Sequence, residues 1–498
     1  LKKSVTIKEI SDVVNGQLIG DKNLIVEDIT HDSKQVSNGW LFVAIKGMTT
    51  DGNAFISQAL QNGAIGVISE NEKPDGIETT WIRVEDARAA LARSAALIQG
   101  YPTQKLKLVG ITGTNGKTTT AYLVNALAEA ADEKCAMLTT VESRIGKEKE
   151  KSERTTPETS DAQRFFRKAV DAGCSVAVME CSSIAMDLRR CDELDISVAV
   201  FSNLTRDHLD YHKTMENYFD AKLRLFDGRL GSVPKSSVVN LDDEYGLKLA
   251  EMRGAKGQRV VTYALNKDAD VRASEVEVKL TGTSFLLSTP IGNRKLKSPL
   301  VGVPHVYNIL SAVAAAIELG FEFENIIQGV EKCTGAPGRF EPVPHDGDFA
   351  VVVDYAHTDD ALVNVLKTAR NVSKNNVITV FGCGGDRDRT KRAPMGEAAA
   401  LYSDFVILTS DNPRAEDPLQ ILDDVEVGLK KHATPYLKIA DRRAAINHAI
   451  AAAKTGDVVM IAGKGHEDYQ IIGKEKFHFD DREVASEALR SLELRLQA

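Results

Sequence analysis

The sequence predicts an α/β protein of three domains, the last two built on parallel sheets. Three observations carry that expectation. At 498 residues the chain exceeds what a single hydrophobic core supports, so roughly two to four domains are expected. Short apolar runs suited to buried strands alternate with helix-period stretches, the order that βαβ units produce. Two breaks, Tyr101-Pro102-Thr103 and Gly335-Ala336-Pro337-Gly338, interrupt the alternation where linkers would lie.

Taken in order, the runs Trp40-Leu41-Phe42-Val43-Ala44-Ile45 and Ala64-Ile65-Gly66-Val67-Ile68 read as strands and residues 87–97 as a helix. They define an N-terminal α/β domain over 1–103. The central domain, 104–336, opens on Leu106-Lys107-Leu108-Val109-Gly110-Ile111, a strand that runs into a glycine loop and then an amphipathic helix over 119–130. Strands at 176–179 and 198–201, a more polar β-rich stretch over 260–300 and a helix over 308–319 complete it. The cluster at 335–338 reads as a hinge. In the third domain, 337–498, runs at 350–353, 377–381, 405–408 and 458–461 read as buried parallel strands. Each is followed by a glycine or proline turn and a helical pattern, which predicts a Rossmann-like, doubly wound sheet. The charged run 147–154 reads as a solvated turn, and no internal repeat is present.

With 43% hydrophobic and 27% charged residues the chain has a soluble globular balance, and no apolar run is long enough to cross a membrane. A net charge of -9 argues against nucleic acid as a partner but admits small anionic substrates. The six cysteines, Cys135, Cys174, Cys181, Cys191, Cys333 and Cys383, lack paired or zinc-type spacing and read as buried, reduced thiols of a cytoplasmic protein. The start, Leu-Lys-Lys-Ser-Val-Thr-Ile-Lys-Glu, puts charges where a secretory signal needs an apolar stretch, so export is not expected.

The segment Gly113-Thr114-Asn115-Gly116-Lys117-Thr118, between a strand and a helix, has the parts a nucleoside triphosphate requires. Its glycines let backbone N–H groups approach phosphate oxygens, Lys117 neutralises their charge, and the Thr118 hydroxyl suits Mg²⁺. The strict pattern wants glycine at Ile111, so the loop is a variant. Glu180 leaves its strand at the carboxyl end, where open sheets place ligands and where a carboxylate suits Mg²⁺. His208, in Asn203-Leu204-Thr205-Arg206-Asp207-His208-Leu209-Asp210, leaves the next strand alike and reaches towards the same phosphates or a second metal. Lys222, from the residues alone, is a solvated helix lysine without a role.

These residues resemble the Mur ligases. The resemblance rests on Thr112 to Thr119, Glu180-Cys181-Ser182-Ser183, Asn203 to Asp210, Lys222 and Gly302 to Asn308. In the third domain it adds Gly338-Arg339, Asp354-Tyr355-Ala356-His357, Gly382 to Arg389, Asp411-Asn412-Pro413-Arg414 and Gly463 to Glu467. It implies a cytoplasmic, monomeric, ATP- and Mg²⁺-dependent amide ligase of peptidoglycan precursor synthesis. The N-terminal domain would hold a uridine nucleotide, the central domain ATP, and the third domain the incoming amino acid. The implied catalytic residues are Lys117, Glu180, His208 and Lys222. The last would be carbamylated to N6-carboxylysine, joining Thr118, Glu180 and His208 as metal ligands. Thr119, Asn308, Arg339 and Asp354 would join residues 113–118 around ATP. The region Asp32-Ser33-Lys34, with Thr155, Thr156, Ser183 and Arg190, would hold UDP-N-acetylmuramoyl-L-alanyl-D-glutamate.

Members with Asp-Asn-Pro-Arg at 411–414 use meso-2,6-diaminopimelate, whose distal carboxylate an Arg414 fork can grip. Arg387, Asp411, Asn412, Pro413, Gly463 and Glu467 would complete that pocket, with Glu467 reading the distal ammonium. The chain departs from the family pattern at Ile184, where histidine is usual, at Glu142 in place of glycine, at Ala393 and at Asp359 in place of proline. Alternatives are the same reaction with L-lysine, a non-catalytic nucleotide-binding relative, and a folate polyglutamate ligase sharing the ATPase core.

Overall fold

The computed structural model describes residues 4–47 and 50–497; residues 1–3, 48–49 and 498, which fall in the first and last expected domains, lie outside the described ones. Three main sheets are present. The N-terminal sheet runs Gln17–Ile19, Thr80–Arg83, Gly66–Ser69, Trp40–Ala44, Asp28–Thr30, all parallel except the pair formed by Gln17–Ile19 and Thr80–Arg83. Its inner strands are buried on both faces because helices cover both, whereas the edge strand Gln17–Ile19 is largely exposed. The helix Ala87–Gln99, capped by Asp86 and closed by Gly100 in the left-handed conformation, packs on the central domain's helix Thr159–Asp171. Arg164 of that helix fastens the two domains: it donates to Ile29 O at 2.9 Å, pairs with Asp28 at 3.2 Å and lies over the Trp40 ring.

The central sheet has eleven strands. In its parallel core Val176–Glu180, Lys107–Thr112 and Val198–Phe201 are neighbours in that order, followed by Ser236–Asn240 and Val260–Ala264. Register pairs Glu180 with Ile111 and Phe201 with Thr112, so three strands end level with one another. The polar stretch expected over 260–300 forms the parallel-paired strand Val260–Ala264 and an antiparallel meander of Val271–Lys279, Gly282–Thr289 and Gly292–Ser298. The expected helix at 308–319 starts earlier, as Val303–Leu319, with Pro304 in its first turn. Proline needs no amide partner there, so it opens a helix where it would break one further in. The charged run 147–154 is a correction: Glu148–Lys151 is a strand paired antiparallel with Glu142–Ile145. Exposed on both faces, it shows none of the hydrophobic alternation that marks a half-buried strand.

The third sheet runs Glu341–Pro342, Ala350–Asp354, Val458–Ala462, Val377–Phe381, Phe405–Leu408, Tyr436–Lys438, parallel except at the first pair. Separate apolar clusters fill its two faces, as a doubly wound sheet requires. After Val458–Ala462 the expected helix is replaced by a hairpin, Tyr469–Ile472 with Glu475–His478. All six cysteines are buried and unpaired.

Candidate active site

The level strand ends of the central sheet create the site, because in an open parallel sheet the crevice lies beyond the carboxyl ends. The strand Lys107–Thr112 passes into the loop 113–118 and the helix Lys117–Ala130. Gly113 and Gly116 have φ of +149° and +91°. A Cβ on Gly116 would lie 2.3 Å from Asn308 Oδ1, and one on Gly113 only 1.8 Å from Ser202 Oγ. The loop needs glycine both for its dihedrals and for its neighbours. Asn203 fixes it from the adjacent strand end, accepting from Asn115 N at 2.9 Å and donating to Asn115 O at 3.2 Å.

Lys117 Nζ folds back on the loop, donating to Gly113 O and Thr114 O at 2.9 Å each. Desolvation pushes its pKa down against the pull of Glu180. Lys222 corrects the plain sequence reading. It is buried at 1% exposure, not solvated, donates to the same Gly113 O at 2.9 Å and lies 4.5 Å from the centre of the Tyr218 ring. Burial, then the nearby Lys117 charge, drives its pKa well below the usual lysine value. Burial thus favours the neutral amine over the ammonium. Thr118 Oγ1 donates to Glu180 Oε1 at 2.9 Å, and Thr140 N to the same oxygen at 2.8 Å. Hydroxyl and carboxylate oxygens side by side are donors for a hard cation. Among the described residues no three His, Cys, Asp or Glu side chains gather into a metal cage. His208 sits in the left-handed region at φ +53° beside Asp207. Desolvation lowers its pKa although Asp207 opposes this.

A cleft of about 750 Å³ lies over the loop, lined by residues 114–119, Glu180, His208 and Asn308 of the central domain and by Arg339, Asp354 and Asp360 of the third. Arg339 reaches Thr118 Oγ1 at 3.3 Å and lies over the Tyr355 ring. Asp354 accepts from Phe340 N and Ala356 N at 2.7 Å each, and burial raises its pKa against the pull of Arg339. A second cleft of about 440 Å³ is lined by Arg387, Asp411, Asn412, Arg414, Gly463 and Glu467. The two share Thr140, Thr155, Asp207, His208, Tyr355 and His357 as walls, so the space over the phosphate loop and the space before Arg414 are neighbours.

Arg414 has φ +53°, an uncommon conformation for a non-glycine residue and one found at functional sites. Its Nη1 is held by Gly385 O at 2.8 Å and Asn412 O at 3.4 Å. Among the described residues no carboxylate pairs with its guanidinium. Glu467 Oε2 accepts from Asn412 Nδ2 at 2.9 Å and from the wholly buried Lys464 at 3.3 Å. Desolvation, then Asp411, raises its pKa.

Three family models match the chain in order: Mur ligase family, catalytic domain, at residues 26–99; Mur ligase middle domain at 111–316; and Mur ligase, glutamate ligase domain, at 338–465. The UDP-N-acetylmuramoyl-L-alanyl-D-glutamate--2,6-diaminopimelate ligase of Geobacter sulfurreducens is 46% identical over 493 residues, covering 95% of this chain and 96% of that protein. The ligase of the same name from Alkaliphilus metalliredigens is 42% identical over 471 residues, covering 95% and 94%. The chain belongs to the Mur ligase family. A solved structure of a ligase of that name superposes on this Mur ligase with a TM-score of 0.70 at 35% identity, over 99% of this chain and all of the other. A MurF ligase of Thermotoga maritima in complex with ADP shares the fold, with a TM-score of 0.63 at 19% identity over 95% and 99% of the two chains.

The remaining expected residues of this Mur ligase are spread more widely. Ser33 lies in the N-terminal domain, donating to Gln58 Oε1 at 2.8 Å. Thr155 borders both clefts, while Thr156 is buried and donates to Glu180 O at 2.8 Å. Arg190 pairs with Glu158 at 2.8 Å. Pro413 contributes backbone that packs against Gly385. Ser183, next to the departure Ile184, still meets an imidazole: His212 Nε2 lies 2.9 Å from its hydroxyl. Burial first of all lowers the His212 pKa to about 4, so its ring is neutral near pH 7. Glu142 is held by Arg144 through Nε and Nη2 at 3.0 and 2.6 Å. Asp359 occupies the first turn of the helix Asp359–Val372 behind the cap Thr358, where an acid is as acceptable as the usual proline. Sequence reasoning missed His212, Asp360 and Lys464. His212 meets Ser183, 29 residues away, and Asp360 meets Thr205, 155 residues away, and local pattern gives no signal for such pairs.

Proposed function

We propose that this Mur ligase adds meso-2,6-diaminopimelate to UDP-N-acetylmuramoyl-L-alanyl-D-glutamate in an ATP-driven step of peptidoglycan precursor synthesis. The observation that carries the reading is that the two clefts are neighbours sharing His208 and His357 as walls, one over the phosphate loop and the other before Arg414. The near full-length relatives of that name support the same reaction.

A carboxylate does not form an amide directly, because it would have to expel a poor leaving group. The γ-phosphoryl group of ATP passes to the D-glutamate carboxylate, giving an acyl phosphate and ADP. The amine of diaminopimelate then attacks the acyl carbon and phosphate departs. Residues 113–118 hold the phosphates through backbone N–H groups, and Lys117 swings from its own loop carbonyls to the transferred group as charge shifts. Thr118 and Glu180 fit a magnesium that arrives with phosphates, since their two oxygens leave most of its ligand positions to the nucleotide and water. His208 and carbamylated Lys222 would complete the set, and the ion supplies charge neutralisation. Arg414 grips the distal carboxylate of the amino acid, and Glu467 holds the ammonium beside it. Walls from two domains exclude water, which hydrolyses acyl phosphates.

Phosphate release with ATP and the UDP-dipeptide, measured with diaminopimelate and with L-lysine in parallel, tests the reading. Turnover with diaminopimelate and little with lysine is expected. Substrate-independent or absent phosphate release would return the chain to a binding role.

A further inference from the structure

We propose that Asp360 is the latch by which the third domain docks on the ATPase and orders its phosphate loop. One carboxylate oxygen, Asp360 Oδ2, accepts from Asn115 Nδ2 at 2.9 Å and from Thr205 Oγ1 at 2.9 Å. Both donors belong to the central domain, in different loops: Asn115 in the phosphate loop, Thr205 in the segment leading to Asp207 and His208. Asn364, one turn along the same helix, donates to that oxygen at 3.3 Å and aims it. A single atom of the third domain therefore ties together the two loops that carry the phosphate-binding and His208 ends of the site.

The surroundings make Asp360 suited to that task. It lies in the first turn of the helix Asp359–Val372, whose Thr358 cap accepts from Ala361 N at 3.2 Å, so the helix dipole favours its negative charge. Hydrogen bonds to an ionised acceptor are roughly twice as strong as neutral ones, and both donors are only partly buried, so the contact can open and close without leaving a buried charge unpaired. Asn115 is itself held by Asn203 and by Ser202, whose hydroxyl donates to Asn115 O at 2.6 Å. A pull on Asn115 is thus transmitted to the loop backbone rather than absorbed by a free side chain. Thr205 N donates to Thr114 Oγ1 at 3.0 Å, and Thr114 Oγ1 lies 3.2 Å from the Tyr218 hydroxyl, which returns the second tie to the phosphate loop. Arg339, from the start of the third domain, reaches Thr118. Asp360 and Arg339 hold one loop at two points, Asn115 and Thr118, and both line the cleft of about 750 Å³.

As a positioning residue Asp360 should act on turnover and on the docked population, not on the fold. The test uses the full-length chain with three variants, D360A, D360N and T205V, and the D360A/T205V double variant. With ATP, the UDP-dipeptide and diaminopimelate, D360A is expected to lose about 10- to 100-fold in kcat, the range that slight misplacement of a reacting group causes. D360N, which keeps an acceptor oxygen, should recover part of that loss. The double variant should be no slower than D360A, because D360A already removes the Thr205 tie. In small-angle scattering with AMP-PNP and the UDP-dipeptide, D360A should keep a larger radius of gyration than wild type, with an unchanged melting temperature. The proposal is overturned if D360A turns over like wild type, if it loses activity while compacting like wild type, or if the two single losses multiply in the double variant. Should D360A fail to fold, T205V removes the Thr205 tie from the other domain and is read in the same assays, wild-type behaviour again overturning the latch. The kinetic arm rests on the ligase reading. Wild-type phosphate release tests that reading separately, and the scattering comparison decides the latch without it.

Discussion

Arg414 concentrates the choice of amino acid in one guanidinium. Its backbone is in the left-handed region and one of its nitrogens is fixed by carbonyls, so the rest of the fork is presented before any ligand arrives. Replacing it with alanine should weaken use of diaminopimelate by about 2–5 kcal/mol in kcat/KM, because a buried substrate carboxylate loses its partner, and should bring little gain with lysine. Steady-state kinetics with both amino acids checks this. Glu467 gives a pH test. Desolvation and then Asp411 raise its carboxyl above the ordinary value of 4.5, so as pH falls the group becomes neutral earlier than an ordinary glutamate. The ammonium it holds needs the carboxylate, so KM for diaminopimelate should climb on the acid side at a higher pH than for an ordinary glutamate. E467Q should have a high KM without that limb. Much of this residue-level chemistry was legible in the sequence, because Gly113–Thr118 spacing and the Asp411–Arg414 run are local. Lys222 was not: its burial comes from neighbours contributed by other segments.

At the scale of elements, the amino-acid cleft stands on a support that local pattern does not reveal. Arg442, at the start of the helix Arg442–Ala452, is wholly buried against Asp481 of the C-terminal helix, at 2.8 and 2.7 Å. It also donates to Ala462 O at 3.0 Å and Ser410 O at 3.4 Å, the carbonyls just before Gly463 and Asp411. One guanidinium thus fixes two strand ends beneath the cleft. R442A should cost about 3–5 kcal/mol of stability, since it strands the Asp481 charge, whereas the paired replacement R442M/D481L should cost much less. Urea unfolding of the full chain distinguishes them. The elements themselves were largely readable: strands buried on both faces are continuous apolar runs, as at 377–381 and 405–408. The hairpin Tyr469–His478 was not, because its strands are half-buried or exposed and carry no clear alternation. The same reason hid the strand Glu148–Lys151, whose Lys151 reaches across to Asp468 of the third domain.

For the whole molecule, the nucleotide cleft belongs to neither domain alone, so a ligand there should stabilise both. A non-hydrolysable ATP analogue at about 100 times its Kd should add about 2.7 kcal/mol to unfolding of the ligand-bound part. Calorimetry should show the central and third domains shifting together, while the N-terminal domain, none of whose described residues lines that cleft, should shift less. Independent shifts of the central domain alone would mean that the third does not hold nucleotide. The sequence by itself determined the fold class, the phosphate loop, the family and the chemical character of the Arg414 pocket. Each of these is written in contiguous residues whose spacing backbone geometry converts directly into strands, turns and helix ends. Only the tertiary structure decided which groups share a cavity: that Lys117 and Lys222 meet on one carbonyl, that His212 reaches Ser183 beside Ile184, and that Asp360 joins two loops of another domain. Those pairings depend on how separately folded sheets dock, and docking is set by the sum of many weak contacts that no single stretch of chain contains.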